Sequence, residues 1–273
     1  MFTQNLHSHS TFDDGQNTIE EMALAAQAAG LTSIGISVHT PMPHPACWTI
    51  DAARLPDYFA EVRRVKERLR GTIDVFCGAE WDLHSAIAPT GFDYVIGSVH
   101  HIAIGNDLPC VDNTAEETRR IIRQHYEGDA DLMAEAYFRQ YLTLAKIDEV
   151  KIVGHLDLLT KFDESCAFFD EASPRYLAAA TSAIDALIAA GKVFEINSGA
   201  ISRGYRTTPY PSKALLRVIS ERGGKITISS DAHRVEDIIC GFTDSAALAR
   251  DCGFTELWRF DGKDFVPEPL NDM

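Results

Sequence analysis

Asp93-Tyr94-Val95-Ile96-Gly97-Ser98-Val99, followed at once by His100, is the stretch whose reading decides the fold. Its centre is apolar almost throughout, with no hydrophobic–polar alternation, so it reads as a strand buried on both faces. Such strands belong to parallel sheets covered by helices. Working outward, comparable runs occur at Phe2–Leu6, Ser33–Val38, Ile73–Cys77, Lys151–Val153, Val193–Ile196 and Lys225–Ser229. Between and after them, apolar residues recur at three- and four-residue spacing. This predicts helices over Thr18–Ala29, Asp51–Arg70, Ala115–Tyr126, Asp131–Ile147, Pro174–Ala190, Pro211–Glu221 and Val235–Asp251. Gly30, Gly71, Gly191 and Gly253 stand at expected helix stops. The alternation implies an α/β chain with a parallel sheet, and seven such units suggest a closed barrel. Leu257–Val266 reads as a short hairpin around Asp261-Gly262. Residues 1–273 carry no linker, repeat or low-complexity segment and read as one domain.

His100 is one of a set. Strand one runs into His7-Ser8-His9, strand two ends at His39, and strand three leads to Glu80. Strand five leads to His155, strand six to Asn197, and strand seven to Asp231-Ala232-His233. In a parallel α/β barrel these positions share one mouth, where active sites form. Residues two apart on extended chain face the same side, so His7/His9 and Asp231/His233 each point into one volume. Imidazole and carboxylate together suit Zn²⁺, Mn²⁺ or Fe²⁺, and no thiolate joins the pattern. Each motif alone is weak; six of the ten histidines at predicted strand ends make the joint case for a metal site. Of the other four, His125 is expected on a solvated helix face and His101 in a structural role. His44 and His84 are expected in surface loops near the mouth.

The formal charge of −15 repels nucleic-acid phosphates, and no basic stripe with interleaved aromatics offsets it, so a nucleic-acid partner is not expected. No apolar run approaches the roughly 18 residues needed to cross a membrane. The start, Met1 to His7, lacks the features of a signal peptide, so a cytoplasmic location is expected. Cys47, Cys77, Cys110, Cys166, Cys240 and Cys252 form no C-x-x-C pair and read as isolated thiols, several of them buried.

The ordered motifs resemble the polymerase and histidinol phosphatase (PHP) family over essentially the whole chain. They are His7-Ser8-His9 with Asp13-Asp14-Gly15, Ser37-Val38-His39, Gly78-Ala79-Glu80, Gly97-Ser98-Val99-His100, Gly154-His155-Leu156-Asp157 and Ser230-Asp231-Ala232-His233. With Glu195-Ile196-Asn197 and the chain length, they look most like its monofunctional histidinol-phosphate phosphatases. The resemblance implies a distorted (β/α)7 TIM-like barrel holding two or three divalent metals. His7, His9, Glu80 and Asp231 would hold the first; Glu80 would bridge to a second on His100 and His155; Asp14, His39 and His233 would hold a third. Asp13 is the alternative to Asp14. The chain departs from the family at Val38, where many members carry Asp, and near position 14, where many carry His.

The implied activity is hydrolysis of a small phosphomonoester, L-histidinol phosphate in histidine biosynthesis, by a hydroxide bridging two cations, with no protein nucleophile. Lys161, Arg203 and Arg206 are the candidate phosphate ligands, Arg203 first among them. Insertions near 40–49, with Pro41, Pro43, Pro45 and Trp48, and near 102–149 would shape the leaving-group pocket. Asp82, Asp107, Asp112 and Asp163 are its candidate acids. The rival readings are another phosphomonoester or nucleotide as substrate, an amidohydrolase acting on C–N bonds, and a non-enzymatic module. A metal-bridging lysine expected of an amidohydrolase ends none of the strands.

Overall fold

The computed structural model describes residues 2–44 and 46–270. Pro45, one of the prolines singled out in the 40–49 loop, lies outside the described residues. β1 (Gln4–Asn5), β2 (Ser33–His39), β3 (Asp74–Asp82), β4 (Tyr94–Ser98), β5 (Val150–Val153), β6 (Val193–Asn197) and β7 (Lys225–Ser229) form one sheet in chain order. Every neighbouring pair is parallel. The last strand returns to the first: His9 N–H donates to Ala232 O at 2.8 Å, and Ala232 N–H donates to His7 O at 3.2 Å. Seven parallel strands thus close into a barrel, as the alternation of strands and helices predicts.

The helices are α1 (Ile19–Ala28), α2 (Leu55–Arg68), α3 (Ala115–His125), α4 (Ala130–Leu144), α5 (Asp163–Cys166), α6 (Pro174–Ala189), α7 (Gly199–Ser202), α8 (Lys213–Glu221) and α9 (Phe242–Asp251). Thr18 opens α1 with a reciprocal cap: its Oγ1 accepts from Glu21 N–H at 3.3 Å, while Glu21 Oε2 accepts from Thr18 N–H at 2.8 Å. A hairpin of β8 (Glu256–Phe260) and β9 (Phe265–Pro269) follows the barrel. No helix among the described residues is long and apolar enough to cross a membrane.

Three boundaries differ from expectation for physical reasons. β3 runs on past Cys77 to Asp82, because Gly78–Asp82 pairs with β4, and this puts Glu80 on the strand itself. The predicted Val235–Asp251 helix is broken into a 3₁₀ turn at Val235–Asp237 and α9. Gly241 takes φ 70° between them, with its Cα packed so close to Ser198 that a Cβ would sit 2.6 Å from the serine Cβ. The Asp51–Arg70 helix likewise opens as a 3₁₀ turn at Ala52–Arg54. All six cysteines are free thiols, but of these only Cys252 is fully buried, so the expectation of several buried thiols is corrected.

Two cores result. The larger fills the space between barrel and helices, with Ile34, Ile36, Val38, Val95 and Tyr58 among its members. The smaller comprises Leu6, Phe76, Tyr94, Ile96, Ile152 and Phe260, the last carried in by the hairpin. Gly35 and Gly78 make room for the Tyr94 ring: a Cβ on either would fall 2.0–2.2 Å from its atoms. Tyr94 Oη donates to Leu6 O at the same place. Side chains two apart on a strand share a face, so Phe76 and Glu80 on β3, and Tyr94, Ile96 and Ser98 on β4, line up from the apolar cluster toward the strand ends.

Candidate metal centre

At the C-terminal ends of the strands the lining turns from apolar to titratable. Glu80, 2% exposed, is the meeting point. Its Oε2 lies 3.1 Å from His7 Nε2, 3.6 Å from His9 Nε2 and 2.9 Å from His39 Nδ1. Its Oε1 lies 3.3 Å from His100 Nε2, 2.8 Å from His155 Nε2 and 2.8 Å from Ser98 Oγ. Asp231 joins from β7, with Oδ1 3.2 Å from His9 Nε2 and 3.6 Å from His7 Nε2. Asp14, His39 and His233 form the outer part: Asp14 Oδ1 is 3.2 Å from His233 Nε2 and 3.7 Å from His39 Nε2. The His9 ring stacks between those of His39 and His233 at centroid distances of 4.3 and 4.2 Å. The nine residues expected as metal ligands therefore meet in one volume.

Three of the inner histidines, His7, His9 and His100, are oriented from behind by a carboxylate. Glu195 Oε1 lies 2.6 Å from His7 Nδ1, Asp13 Oδ2 lies 2.7 Å from His9 Nδ1, and Asp82 Oδ2 lies 3.2 Å from His100 Nδ1. With Nδ1–H bound to an acid, the lone pair of Nε2 points into the cavity. The Nε2 atoms of His7 and His9 are buried and have no hydrogen-bond partner. Buried polar atoms left without partners are costly. Here several of them converge on shared carboxylate oxygens, an arrangement that suits divalent cations with N and O donors. Among the described residues, three groups each bring their potential ligand atoms within 4.8 Å of one another: His9/Asp14/His39/His233, His7/His9/Glu80 and His39/Glu80/His100.

The electrostatics agree with that reading. Burial alone lowers the His9 pKa, but Asp13 and Asp231 outweigh it and push it up to about 10. Burial is likewise outweighed at His7 by Glu195, Glu80 and Asp231, which hold it well above the ordinary imidazole range. Burial would raise Glu80, yet His39, His7 and His100 hold it well below the carboxylate range. Asp231 sits at φ 49°, a left-handed conformation uncommon outside glycine. Beside it Gly199 has no room for a side chain; a Cβ would fall 2.5 Å from Asp231 Oδ2 and 2.8 Å from Arg203 Nη2.

The three expected phosphate ligands separate. Arg203 lines the cavity, donates from Nη2 to Asp231 Oδ2 at 2.9 Å, and has Nη1 3.0 Å from His233 Nδ1. Lys161 also lines the cavity, tied to Asp112. Arg206 does not line it, which corrects the expectation. Its Nη1 donates to Thr160 O at 3.0 Å and to Thr160 Oγ1, and its guanidinium lies 4.7 Å over the Tyr210 ring. The backbone-and-hydroxyl pocket of Thr160 captures it before it can reach the mouth.

Among the four candidate acids, Asp112 lines the cavity, Asp107 is exposed, and Asp163 lines a separate depression with Arg206. Asp82 is withdrawn beneath His100, accepting from its backbone N–H at 2.9 Å. His125 is exposed as expected, and His101, expected in a structural role, is buried. His44 and His84 are half-buried rather than surface residues: His44 sets its ring against His101, and His84 Nε2 is 2.7 Å from Gln140 Oε1. Sequence reasoning did not give Glu195 a role at the site. Its signal was an acid between Phe194 and Ile196 on an otherwise apolar strand, a placement that demands a buried partner.

Comparison with known proteins follows the same lines. A curated relative from Deinococcus radiodurans named "Probable histidinol-phosphatase" is 30% identical over 250 residues, covering 86% of this chain and 88% of its own. A histidinol-phosphatase of Lactococcus lactis is 26% identical and covers 94% of this chain and 93% of its own. The crystal structure of an L. lactis histidinol phosphate phosphatase complexed with zinc, L-histidinol and phosphate superposes with a TM-score of 0.74 at 23% identity. It covers 97% of this chain and 98% of that one, a likeness of fold. The PHP-domain profile matches residues 5–199, well over half of the chain. That match makes this chain a member of the PHP family.

Proposed function

We propose that the chain is a cytoplasmic phosphoric monoester hydrolase of 1–273, a single barrel domain, that converts L-histidinol phosphate to L-histidinol and phosphate in histidine biosynthesis. The observation that carries the reading is Glu80: one buried carboxylate with three histidine nitrogens at one oxygen and two at the other. Relatives named for the same activity support the substrate. Zinc is the first choice of metal, since it accompanies the L. lactis protein, and Mn²⁺ and Fe²⁺ suit the same donors.

His7, His9, Glu80 and Asp231 would hold one ion, Glu80, His100 and His155 a second, and Asp14, His39 and His233 a third. Divalent metals bound there would supply Lewis acidity toward phosphoryl oxygens and lower the pKa of water. The protein's own groups do the positioning. Glu195, Asp13 and Asp82 fix the rings of His7, His9 and His100. Arg203, steered by Asp231, has donors left to grip a phosphoryl oxygen beside the cluster. The cavity is about 240 Å³, smaller than sites for drug-sized ligands, and suits a small metabolite.

Purified, metal-loaded enzyme assayed on histidinol phosphate beside a phosphoester panel tests the reading. Histidinol phosphate should show the highest kcat/KM. A nucleotide hydrolysed faster sinks the substrate assignment. Well under one bound metal per chain, with no activity after reconstitution, sinks the enzymatic one.

A further inference from the structure

We propose that Asp112 selects phosphomonoesters that carry an ammonium group, and that Lys161 occupies the ammonium position in the free enzyme. This rests on the phosphomonoesterase reading above and adds what recognises the leaving group. Of the carboxylates lining the cavity among the described residues, Asp14, Glu80 and Asp231 belong to the histidine cluster; Asp112 is the remaining one. It shares its part of the lining with Cys110, Asn113, Lys161 and Tyr205. A phosphate drawn to the metals and Arg203 leaves the rest of its ester to this part.

What Asp112 holds now is itself an ammonium. Lys161 Nζ donates to Asp112 Oδ2 at 3.1 Å and to Asp112 O at 2.8 Å, and lies 4.7 Å over the Tyr205 ring. Carboxylate, carbonyl and aromatic face together form an ammonium site. Both side chains are largely withdrawn from water, at 18% exposure for Asp112 and 13% for Lys161. A partly buried pair is expensive to desolvate, so it is weak as a purely stabilising device. The two partners also differ in freedom. Asp112 is braced: Cys110 Sγ donates to its Oδ1 at 3.1 Å, and Val111 O accepts from Thr118 Oγ1 at 3.1 Å. Lys161 sits on a flexible four-carbon stem and can swing aside. A substrate ammonium would then inherit the carboxylate and the Tyr205 face.

The test uses metal-loaded full-length enzyme and three esters: L-histidinol phosphate, its N-acetyl derivative, which lacks the ammonium, and phenyl phosphate. In the wild type, N-acetylation should lower kcat/KM by roughly 100-fold, the scale of losing one side of a buried charge pair. Asp112→Asn should lose a similar factor on histidinol phosphate, mostly in KM, and cease to distinguish it from the N-acetyl ester. Its rate on phenyl phosphate should stay within about threefold of wild type. Lys161→Met should lower KM for histidinol phosphate more than it changes KM for the N-acetyl ester.

Wild-type enzyme indifferent to N-acetylation overturns the proposal, whatever the variants do. So does an Asp112→Asn variant that loses equally on all esters or on none. A Lys161→Met variant with KM raised for every ester makes Lys161 a phosphate ligand and overturns the displacement. Wild-type enzyme that cleaves phenyl phosphate but not histidinol phosphate refutes the function reading itself, an outcome separate from these.

Discussion

Along β3, Phe76 lies in an apolar cluster, Gly78 gives way to the Tyr94 ring, and Glu80 gathers five histidines. Along β4, Tyr94 and Ile96 belong to that cluster, and Ser98 donates to Glu80. One strand face thus serves two regions of opposite chemistry about two residues apart. The lower region excludes water and stabilises by burial and close packing. The upper region buries carboxylates and imidazoles whose desolvation is only partly offset by their mutual attraction. The difference teaches how such a site is afforded. The apolar region, reinforced by Phe260 from the C-terminal hairpin, holds the strands in register so that the upper region can carry groups that would otherwise part.

The sharpest way to break the comparison is at Glu80. Glu80→Gln should lower kcat/KM by roughly 10³-fold or more, since it removes several kcal/mol of metal-borne stabilisation. Steady-state kinetics with metal counted per chain checks this; a variant keeping a tenth of wild-type activity would refute Glu80 as the bridge.

Phe260→Ala probes the other region. It should cost about 3–5 kcal/mol in unfolding free energy, measured by urea titration, because Phe260 is buried against Phe76 and Tyr94. At temperatures where the variant stays folded, its kcat should match wild type. A large drop in kcat with unchanged stability would mean the two regions are not separable.

The smallest effect sharpens the boundary between ligand and support. His7 and His9 have raised pKa values, so metal must displace their protons, and its apparent affinity should fall as pH falls from about 10 through neutrality. Glu195→Gln removes the leading charge that raises His7. It should weaken metal binding by roughly 10–100-fold and make its pH dependence shallower. Competition titrations with a chromophoric chelator between pH 6 and 8 measure both. An unchanged affinity would assign Glu195 to folding alone.

The parallel strands, barrel closure and the placement of His7, His39, His100, His155 and Asp231 at or just after strand ends were legible in one dimension, because they follow from hydrophobic periodicity and from what stands at each strand end. The break at Gly241 was not, since periodicity continues through it and only the contact with Ser198 reveals it. The direction of Arg206 was not either. A cation in the loop after β6 can reach the mouth, and Thr160, 46 positions earlier, together with the neighbouring Tyr210 ring decides that it does not. The directions of the two acids waited for three dimensions: Asp13, the alternative in the sequence, turns back to His9 and to the His39 N–H, and Asp14, preferred there, turns outward to His233.

By itself, then, the sequence determined a parallel barrel with imidazoles and acids at one rim, because burial pattern and chain spacing are local and periodic. Tertiary structure alone decided which acids face the cavity and which stand behind the histidines, which cation remains beside the cluster, and that Asp112 meets Lys161. Those outcomes depend on side-chain direction and on competition among partners far apart in the chain. His7 and Glu195, 188 positions apart, lie within 2.6 Å only because β1 and β6 line the same closed lumen.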